Sequence, residues 1–362
     1  EALHQVLSVG RLSTARRERT PDSHDDLDEM LSQLDAPHLR IVIRAFSIFL
    51  DLVNLAEDRQ RVRVLRERAR QAYPQPHRET IEAALHRLKS DGQTAEQIQE
   101  LLNRLDVELV FTAHPTEAKR RSIRRKLRRI RELLGANRED LLPSESIQNR
   151  RELRGELAKL WQTDFIRPWR PTVLQEVQRG LSMKPVLWRI VPQILREIRE
   201  GLAQVYANSS LNVGPCITFG SWIGGDRDGH PFVTTPVTEQ TLLWLRQAAL
   251  ELHIDAGRNL FDSLSLSSQQ TSLGPEIDDA LTAALERWPH LQSVLREIPP
   301  GEVLRRYLAV VLRRLEQTQQ VGLGEFFVDG AYASPLELAD EIAVLHRALK
   351  ATPGNELATE EI

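Results

Sequence analysis

Apolar residues recur every three or four positions along most of the chain, which is the spacing of amphipathic helices. Several of these segments have legible N-terminal ends, because Thr94, Thr172 and Ser334 are each followed three residues later by Gln or Glu, the pattern of a capping box. Pro185 and Pro192 interrupt the long pattern that follows Thr172 and predict kinks or breaks. The sequence therefore predicts a mainly α protein.

Two short apolar runs, near residues 108–112 and 216–220, have the length and composition of strands. Two isolated strands can neither pair all the backbone N–H and C=O groups at their edges nor bury both faces, so we expect the strands that pair with them to lie outside this chain. The predicted fold is a helical array with a few short strands that contribute to an incomplete (β/α) barrel. In such a barrel, reactive residues lie at the C-terminal ends of the strands.

The chain also divides by composition. Residues 1–36 are polar, with a basic cluster followed by an acidic run, and predict a lead-in that is weakly ordered or depends on a partner. Residues 37–362 carry the helical patterns and both predicted strands. No internal repeat or low-complexity tract is visible.

Composition narrows the class of protein. With 27% charged and 41% hydrophobic residues the chain can bury a sizeable core, and a net charge of -3 gives no global attraction to nucleic acid or to an anionic membrane. The single cysteine, Cys216, excludes an internal disulfide and favours a reducing, cytoplasmic compartment. The most apolar run, 41–55, contains Arg44 and Asp51 and is too short and too charged to span a bilayer.

His114 follows the first predicted strand and precedes Pro115, which suits the first position of a helix. Free backbone N–H groups and the positive end of the helix dipole would converge there, so an anion beside the imidazole would be stabilised. The alternative is that His114 is only a cap or a packed polar group.

The second predicted strand leads into a glycine-rich segment, residues 220–230, which we call the glycine loop. It lacks the Lys-Ser/Thr of a P-loop and the acidic end of a calcium loop, because Val237 stands where that Glu would be. An anion-binding or active-site loop built around Arg227 and the backbone amides remains, with a tight structural turn as the alternative. Trp222 is a large apolar side chain able to exclude water there.

Nine Lys or Arg fall within residues 119–131, which invites a nucleic-acid interpretation. Apolar residues at helical spacing in and just beyond the same run favour the solvated face of an amphipathic helix instead; they are Ile123, Leu127, Ile130 and Leu134. Arg120 and Arg121 are the better functional candidates in this region.

Two long segments carry a family resemblance: 110–117 reads VFTAHPTE and 221–229 reads SWIGGDRDG. Both closely resemble N-terminal signatures of phosphoenolpyruvate carboxylase. The similarity extends through NLAE at 54–57, RRS at 120–122 and WQTDFIR at 161–167. Such long motifs, in the right order and separation, are specific to that family.

The resemblance implies a β/α barrel wrapped in extra helices, of which this chain would supply the first strands. It implies a carbon–carbon lyase that fixes carbon dioxide by joining bicarbonate to phosphoenolpyruvate, giving oxaloacetate and phosphate. The family uses Mg²⁺ or Mn²⁺ and no biotin, and is typically a homotetramer. The metal ligands are expected in a C-terminal half beyond this chain, and neither nucleic acid nor membrane is expected as a partner.

The resemblance also assigns residues. His114 would accept the proton of carboxyphosphate, and Trp222 would form one wall of a carbon dioxide pocket. Arg227 would hold an anion or the loop itself, and Arg120 with Arg121 would match a pair that binds an activating sugar phosphate in plant members. The remaining substrate-binding candidates are Gly224, Gly225, Asp226 and Asp228.

Two departures from the family pattern are visible: Gln175 stands where an acid is frequent, and His230 where Asn is common. The family's enzymes are much longer than this chain, so we expect an N-terminal portion that is inactive alone. A catalytically silent structural or regulatory fragment of the same family is the main alternative. A helical nucleic-acid-binding protein using residues 119–131 is the weaker one.

Overall fold

The computed structural model describes residues 6, 8–10, 23–112, 119–135, 141–165, 171–322 and 328–352. The structure is mainly α, as predicted, and two short strands are present among these residues. The helices are α1 Ser23–Ser32, α2 Ala36–Ala72, α3 Ile81–Ser90, α4 Ala95–Arg104, α5 Arg121–Gly135, α6 Pro143–Trp161, α7 Val173–Gly180, α8 Lys184–Val205, α9 Thr235–Ser263, α10 Glu276–Arg287, α11 Val303–Gln320 and α12 Pro335–Lys350. The strands are β1 Val107–Phe111 and β2 Ile217–Ser221, and two 3-10 helices cover Leu181–Met183 and Pro289–Leu295.

Two compact units make up the chain. The first comprises Glu1–Gln97, His114–Arg170 and Gly201–Ser210. The second comprises Ile98–Ala113, Pro171–Glu200 and Leu211–Ile362.

The first unit is built on α2, α5 and α6. Its core contains Ile48 and Leu55 of α2, Leu160 of α6, and the completely buried Ile123 and Ile130 of α5. The apolar stripe predicted within the basic run therefore exists and packs inward. Burying such a side chain stabilises a fold by about 1.5–3 kcal/mol, which explains why α5 tolerates so many like charges on its outer face.

One helix, α1, lies within the predicted lead-in. Residues 23–32 form α1, and Met30, Leu31 and Leu34 pack with Val42 of α2. The polar composition had hidden this apolar spacing of three and four residues, which is that of a short amphipathic helix.

The helix ends agree with the predicted caps. Thr94 and Gln97 exchange reciprocal side-chain to backbone hydrogen bonds, as do Thr172 and Gln175. The Ser334 hydroxyl accepts from an amide of α12, which confirms that cap. A 3-10 turn separates α7 from α8 just before Pro185, whereas α8 continues through Pro192 without a break.

The second unit has a larger helical core, formed by α9 to α12 and the second 3-10 helix. Its fully buried side chains include Leu304 and Leu308 of α11 and Leu345 and Leu349 of α12. None of the described helices is long and apolar enough to cross a membrane.

The two strands of the second unit pair in parallel, with Val107 opposite Ile217 and Phe111 opposite Ser221. Parallel sheets are usually covered on both faces. Here Leu109 is 46% exposed and Phe219 is 43% exposed. The predicted strands are thus confirmed to within two residues, and the described part of the chain covers Leu109 and Phe219 only in part.

Candidate functional site

The parallel pairing brings the C-terminal ends of both strands to one edge of the sheet. The Trp222 amide donates to the Phe111 carbonyl at 2.9 Å and extends the ladder by one bond beyond β2. The start of the glycine loop is therefore held beside the end of β1. Thr112 is the last described residue before the segment that contains His114, so the prediction for His114 lies outside the described residues.

The glycine loop is a series of tight turns. The amides of Gly225 and Asp226 both donate to the Trp222 carbonyl, at 3.1 and 3.0 Å, and the His230 amide donates to the Arg227 carbonyl at 3.2 Å. These amides are occupied inside the loop. An anion therefore has fewer loop amides to bind than the sequence suggested, and the anion-binding interpretation depends mainly on the Arg227 guanidinium.

Gly224 is required by the shape of the loop. Its φ is 80°, a value that side chains disfavour, and a Cβ there would lie 2.3 Å from Oγ1 of Thr241 on α9. Its carbonyl accepts a hydrogen bond from Thr238 Oγ1 at 2.9 Å. The close approach of loop and helix fixes where the loop residues lie.

The two aspartates of the glycine loop have different environments. Asp226 accepts a hydrogen bond from the Asp228 amide at 3.0 Å, a local turn that a short carboxylate side chain stabilises. Asp228 is exposed. At least one oxygen of Asp226 thus serves the loop itself.

Arg227 is exposed and makes no ion pair with any residue of the described ranges. Its Nη2 atom lies 3.4 Å from Thr238 Oγ1, at the outer limit of a hydrogen bond. Its other donors have no hydrogen-bond partner among the described residues, so the guanidinium can bind a carboxylate or phosphate oxygen.

Trp222 is 58% exposed and borders a small opening of about 260 Å³ together with Ser221 and Asp226. The carboxylate makes this opening partly polar. An indole in this position can form one wall of a pocket for an apolar molecule, but the described residues do not enclose such a pocket on its other sides.

A larger cavity, which the sequence did not predict, lies against the sheet in the same unit. Its volume is about 550 Å³ and its wall is almost entirely apolar. The lining comes from both strands and from α7, α8 and α9, including Phe111, Val177, Trp188, Phe219, Ile223 and Leu252. Only the tertiary arrangement brings these apolar residues together.

Ionisable side chains lie beside the apolar cavity and the glycine loop. Lys184, which lines the cavity, is paired with Glu251. The His253 ring meets Trp188 edge to face at 4.9 Å between centroids, and burial lowers the pKa of His253, which favours the neutral imidazole. Burial raises the pKa of Glu176 on α7, and the His230 ring opposes that shift.

The two members of the arginine pair in the first unit, Arg120 and Arg121, lie in different local structures. Helix α5 begins at Arg121, and residues 119 and 120 precede it without helical structure. Arg120 Nη1 donates to the Asp164 carbonyl at 3.1 Å. Arg121 is exposed at the first position of the helix, so the two side chains have different environments.

Other charges of the basic run are neutralised locally. Arg129 is 2.7 Å from a Glu152 carboxylate oxygen and 3.2 Å from one of Glu132, and Arg131 is 2.7 Å from one of Asp58. With the apolar stripe buried, this arrangement favours the solvated face of a packed helix over a nucleic-acid site.

No group of three or more His, Cys, Asp or Glu side chains within the described residues is close enough to hold a metal ion. The residues present there do not fit the Mg²⁺ or Mn²⁺ site that the resemblance implies.

The architecture is that of a mainly helical protein in which two parallel strands end at one sheet edge and the second leads into a glycine loop. The family model of phosphoenolpyruvate carboxylase matches residues 1–362. The chain belongs to the phosphoenolpyruvate carboxylase family, a family of carboxylases that are lyases.

Individual relatives support the same family assignment. The chain is 36% identical over 362 residues to the phosphoenolpyruvate carboxylase of Roseiflexus castenholzii, an alignment that covers 96% of this chain and 38% of the relative. It is 36% identical over 271 residues to that of Rhodothermus marinus, covering 74% and 29%. It is 33% identical over 352 residues to that of Thermus thermophilus, covering 92% and 38%. The chain thus spans under two fifths of the length of these relatives.

Proposed function

We propose that this chain is the N-terminal portion of an enzyme that carboxylates phosphoenolpyruvate with bicarbonate, giving oxaloacetate and phosphate. Family membership supports the reaction. The observation that supports the proposal is the hydrogen bond between the Trp222 amide and the Phe111 carbonyl, because it joins the start of the glycine loop to the C-terminal end of β1, where barrel enzymes carry their reactive residues.

In this proposal the two segments have complementary tasks. The Arg227 guanidinium holds an anionic oxygen of substrate or intermediate, since it has no competing carboxylate among the described residues. His114 accepts the proton of carboxyphosphate as that intermediate releases carbon dioxide, a transfer suited to an imidazole near neutral pH. Trp222 contributes an apolar wall that keeps water from the carbon dioxide.

We assign the metal to another part of the complete gene product. The family's Mg²⁺ or Mn²⁺ would need several oxygen ligands, and the described residues supply no such cluster. A cytoplasmic location and a homo-oligomeric, tetrameric assembly are part of the same proposal.

A catalytically silent structural or regulatory portion is the second candidate. The exposed apolar strands favour it for the chain by itself, since a sheet that is open to water cannot exclude water from a reaction. A nucleic-acid-binding role is weaker, because the basic helix α5 already buries its apolar stripe and pairs part of its charge.

Replacing His114 with asparagine in the complete gene product tests the proposal. We expect bicarbonate-dependent release of phosphate from phosphoenolpyruvate to persist while oxaloacetate formation falls by roughly 10²–10⁴-fold, the usual contribution of a general base. Both products are measured in the same reaction. His86→Asn, at an exposed histidine of α3, is the matched control and should leave both unchanged. Near-normal oxaloacetate formation by His114→Asn would remove this residue from the mechanism.

A further inference from the structure

Helix α2 extends well beyond the core of its unit. Ile48 and Leu55 pack into that core, and Asp58 is the last α2 residue tied to α5, through Arg131 at 2.7 Å. Beyond it, every residue from 59 to 71 is exposed except the half-buried Val64. We call residues 59–72 the α2 arm. It is roughly 20 Å of helix that the rest of the described chain leaves uncovered.

The arm keeps the apolar spacing of the buried part of α2. Val62, Leu65, Ala69 and Ala72 follow one another at intervals of three, four and three residues, and Val62 lies seven residues after Leu55. Val62 is 54% exposed and Leu65 is 37% exposed. The stripe that faces the core therefore continues onto the arm as a seam of coiled-coil type, without a partner helix among the described residues.

Four arginines flank this seam: Arg59 and Arg66 on one side, and Arg61 and Arg68 on the other. If Val62 and Leu65 are taken as heptad positions a and d, the four arginines occupy the e and g positions, from which side chains reach across to a partner helix. None of the four makes an ion pair or a side-chain hydrogen bond with a residue of the described ranges. The seam is thus bordered by uncompensated positive charge on both sides.

We propose that the α2 arm docks an acidic amphipathic helix of a partner protein, with apolar residues on the seam and carboxylates opposite the four arginines. Charge complementarity sets the choice of occupant. A second copy of the arm would place arginine against arginine along both borders, which is repulsive.

Two other polyanions fit less well. An anionic membrane requires a wide apolar face with large side chains, and this seam has one valine, one leucine and two alanines. A nucleic acid would use the arginines but would leave the heptad spacing of the seam without a purpose.

The probe is a fluorescein-labelled synthetic helix of three heptads, with leucine on the seam and glutamate at the flanking positions. Its binding to the complete gene product is followed by fluorescence anisotropy. We expect saturable binding that weakens as salt increases, because the flanking pairs are exposed to solvent. The affinity should be in the range of about 1–100 μM, since the arm offers only two heptads.

Matched variants separate seam docking from general attraction. Arg59→Glu/Arg66→Glu should weaken binding at least tenfold, because both replacements border the seam. Arg63→Glu/Arg70→Glu changes the net charge equally on the face directed away from the seam and should weaken it by less than about threefold. Leu65→Gln, which keeps every charge, should also weaken binding at least tenfold. Circular dichroism confirms that each variant stays folded.

Several outcomes would overturn the proposal. These are the absence of saturable binding, equal losses in the two charge-reversed pairs, or tighter binding of phosphatidylserine vesicles or a single-stranded RNA than of the peptide. Leu65→Cys adds a test of intramolecular cover. If a maleimide labels this cysteine in the 1–362 chain but not in the complete gene product, the arm is covered by the protein's own remaining chain and not by a partner.

Discussion

Arg314 of α11 gives the sharpest test of what stabilises the second unit. Its side chain is fully buried, and all three of its nitrogen atoms are used. Nε donates to the Gly330 carbonyl at 3.0 Å, Nη2 donates to Glu337 at 2.6 Å, and Nη1 donates to Glu341. The guanidinium also lies between the rings of Trp288 and Tyr332, at 3.8 and 4.0 Å from their centroids.

Arg314→Met should therefore lower the free energy of unfolding by about 3–5 kcal/mol, the usual effect of removing one partner from a buried ion pair. Methionine fills the slot between the rings with apolar atoms, so lost packing is the smaller part of the effect. The larger part is the charge of Glu341, which would stay buried with its cation removed.

The effect should depend on pH in a defined direction. Burial raises the pKa of Glu341, against opposing contributions from the Tyr332 hydroxyl and from Arg314. A raised pKa in the folded state means that the carboxyl stabilises the fold while protonated and that this contribution is lost as the pH rises through the folded value. Without Arg314 the pKa rises further. The deficit of the variant should consequently be larger at about pH 8 than at about pH 5.5.

Urea denaturation followed by fluorescence measures these free energies. Arg313→Met is the matched control, because Arg313 is the sequence neighbour of Arg314 but makes only an exposed pair with Glu316 at 3.4 Å. It should cost less than about 1 kcal/mol. Arg314→Met/Glu341→Leu should recover part of the loss by removing the orphaned charge. A deficit of Arg314→Met below about 1 kcal/mol, or one that is unchanged between the two pH values, would refute the reasoning.

Three further predictions concern the candidate sites. Gly229→Ala should lower the free energy of unfolding by about 1–2 kcal/mol, because φ of Gly229 is 64° and the space around it is open. Gly224→Ala should lower it by about 1–3 kcal/mol more, because its Cβ would also collide with Thr241 of α9. Thermal denaturation measures both losses, and equal losses would contradict the predicted collision. We expect sugar phosphates to activate the complete gene product and Arg120→Ala/Arg121→Ala to abolish that activation, and identical activation of the two proteins, or none in either, would show that the pair binds no effector. Purified residues 1–362 should form no oxaloacetate with magnesium, bicarbonate and phosphoenolpyruvate and should associate in light scattering, whereas robust turnover would show that the chemistry resides in this chain.

Periodicity and caps were sufficient to predict most of the secondary structure. The apolar stripe of α5, the caps at Thr94 and Thr172 and both strands were found where local rules place them, because these features depend on residues close together in the chain. The helix α1 was missed, since its few apolar positions are embedded in an acidic run.

Features that depend on distant residues could not be predicted in this way. Arg313 and Arg314 are indistinguishable by composition, and only the fold places one in solvent and the other between two rings. The apolar cavity likewise needs the strands and three helices to be assembled. For the glycine loop, turns were predictable from glycine, but the use of Asp226 and several amides within the loop was not.

The strand pair links the fold to the function. Leu109 and Val110 point to opposite faces of β1 because side chains alternate along a strand, yet they are 46% and 44% exposed. One face of β1 carries Val107, Leu109 and Phe111, and the other carries Val110 beside Glu108; parallel sheets are usually covered on both faces. We infer that further structure of the complete gene product covers this sheet. The same cover would shield the strand ends from water, and the proposed chemistry at the glycine loop depends on that shielding. Burial of β1 and gain of activity should therefore occur together.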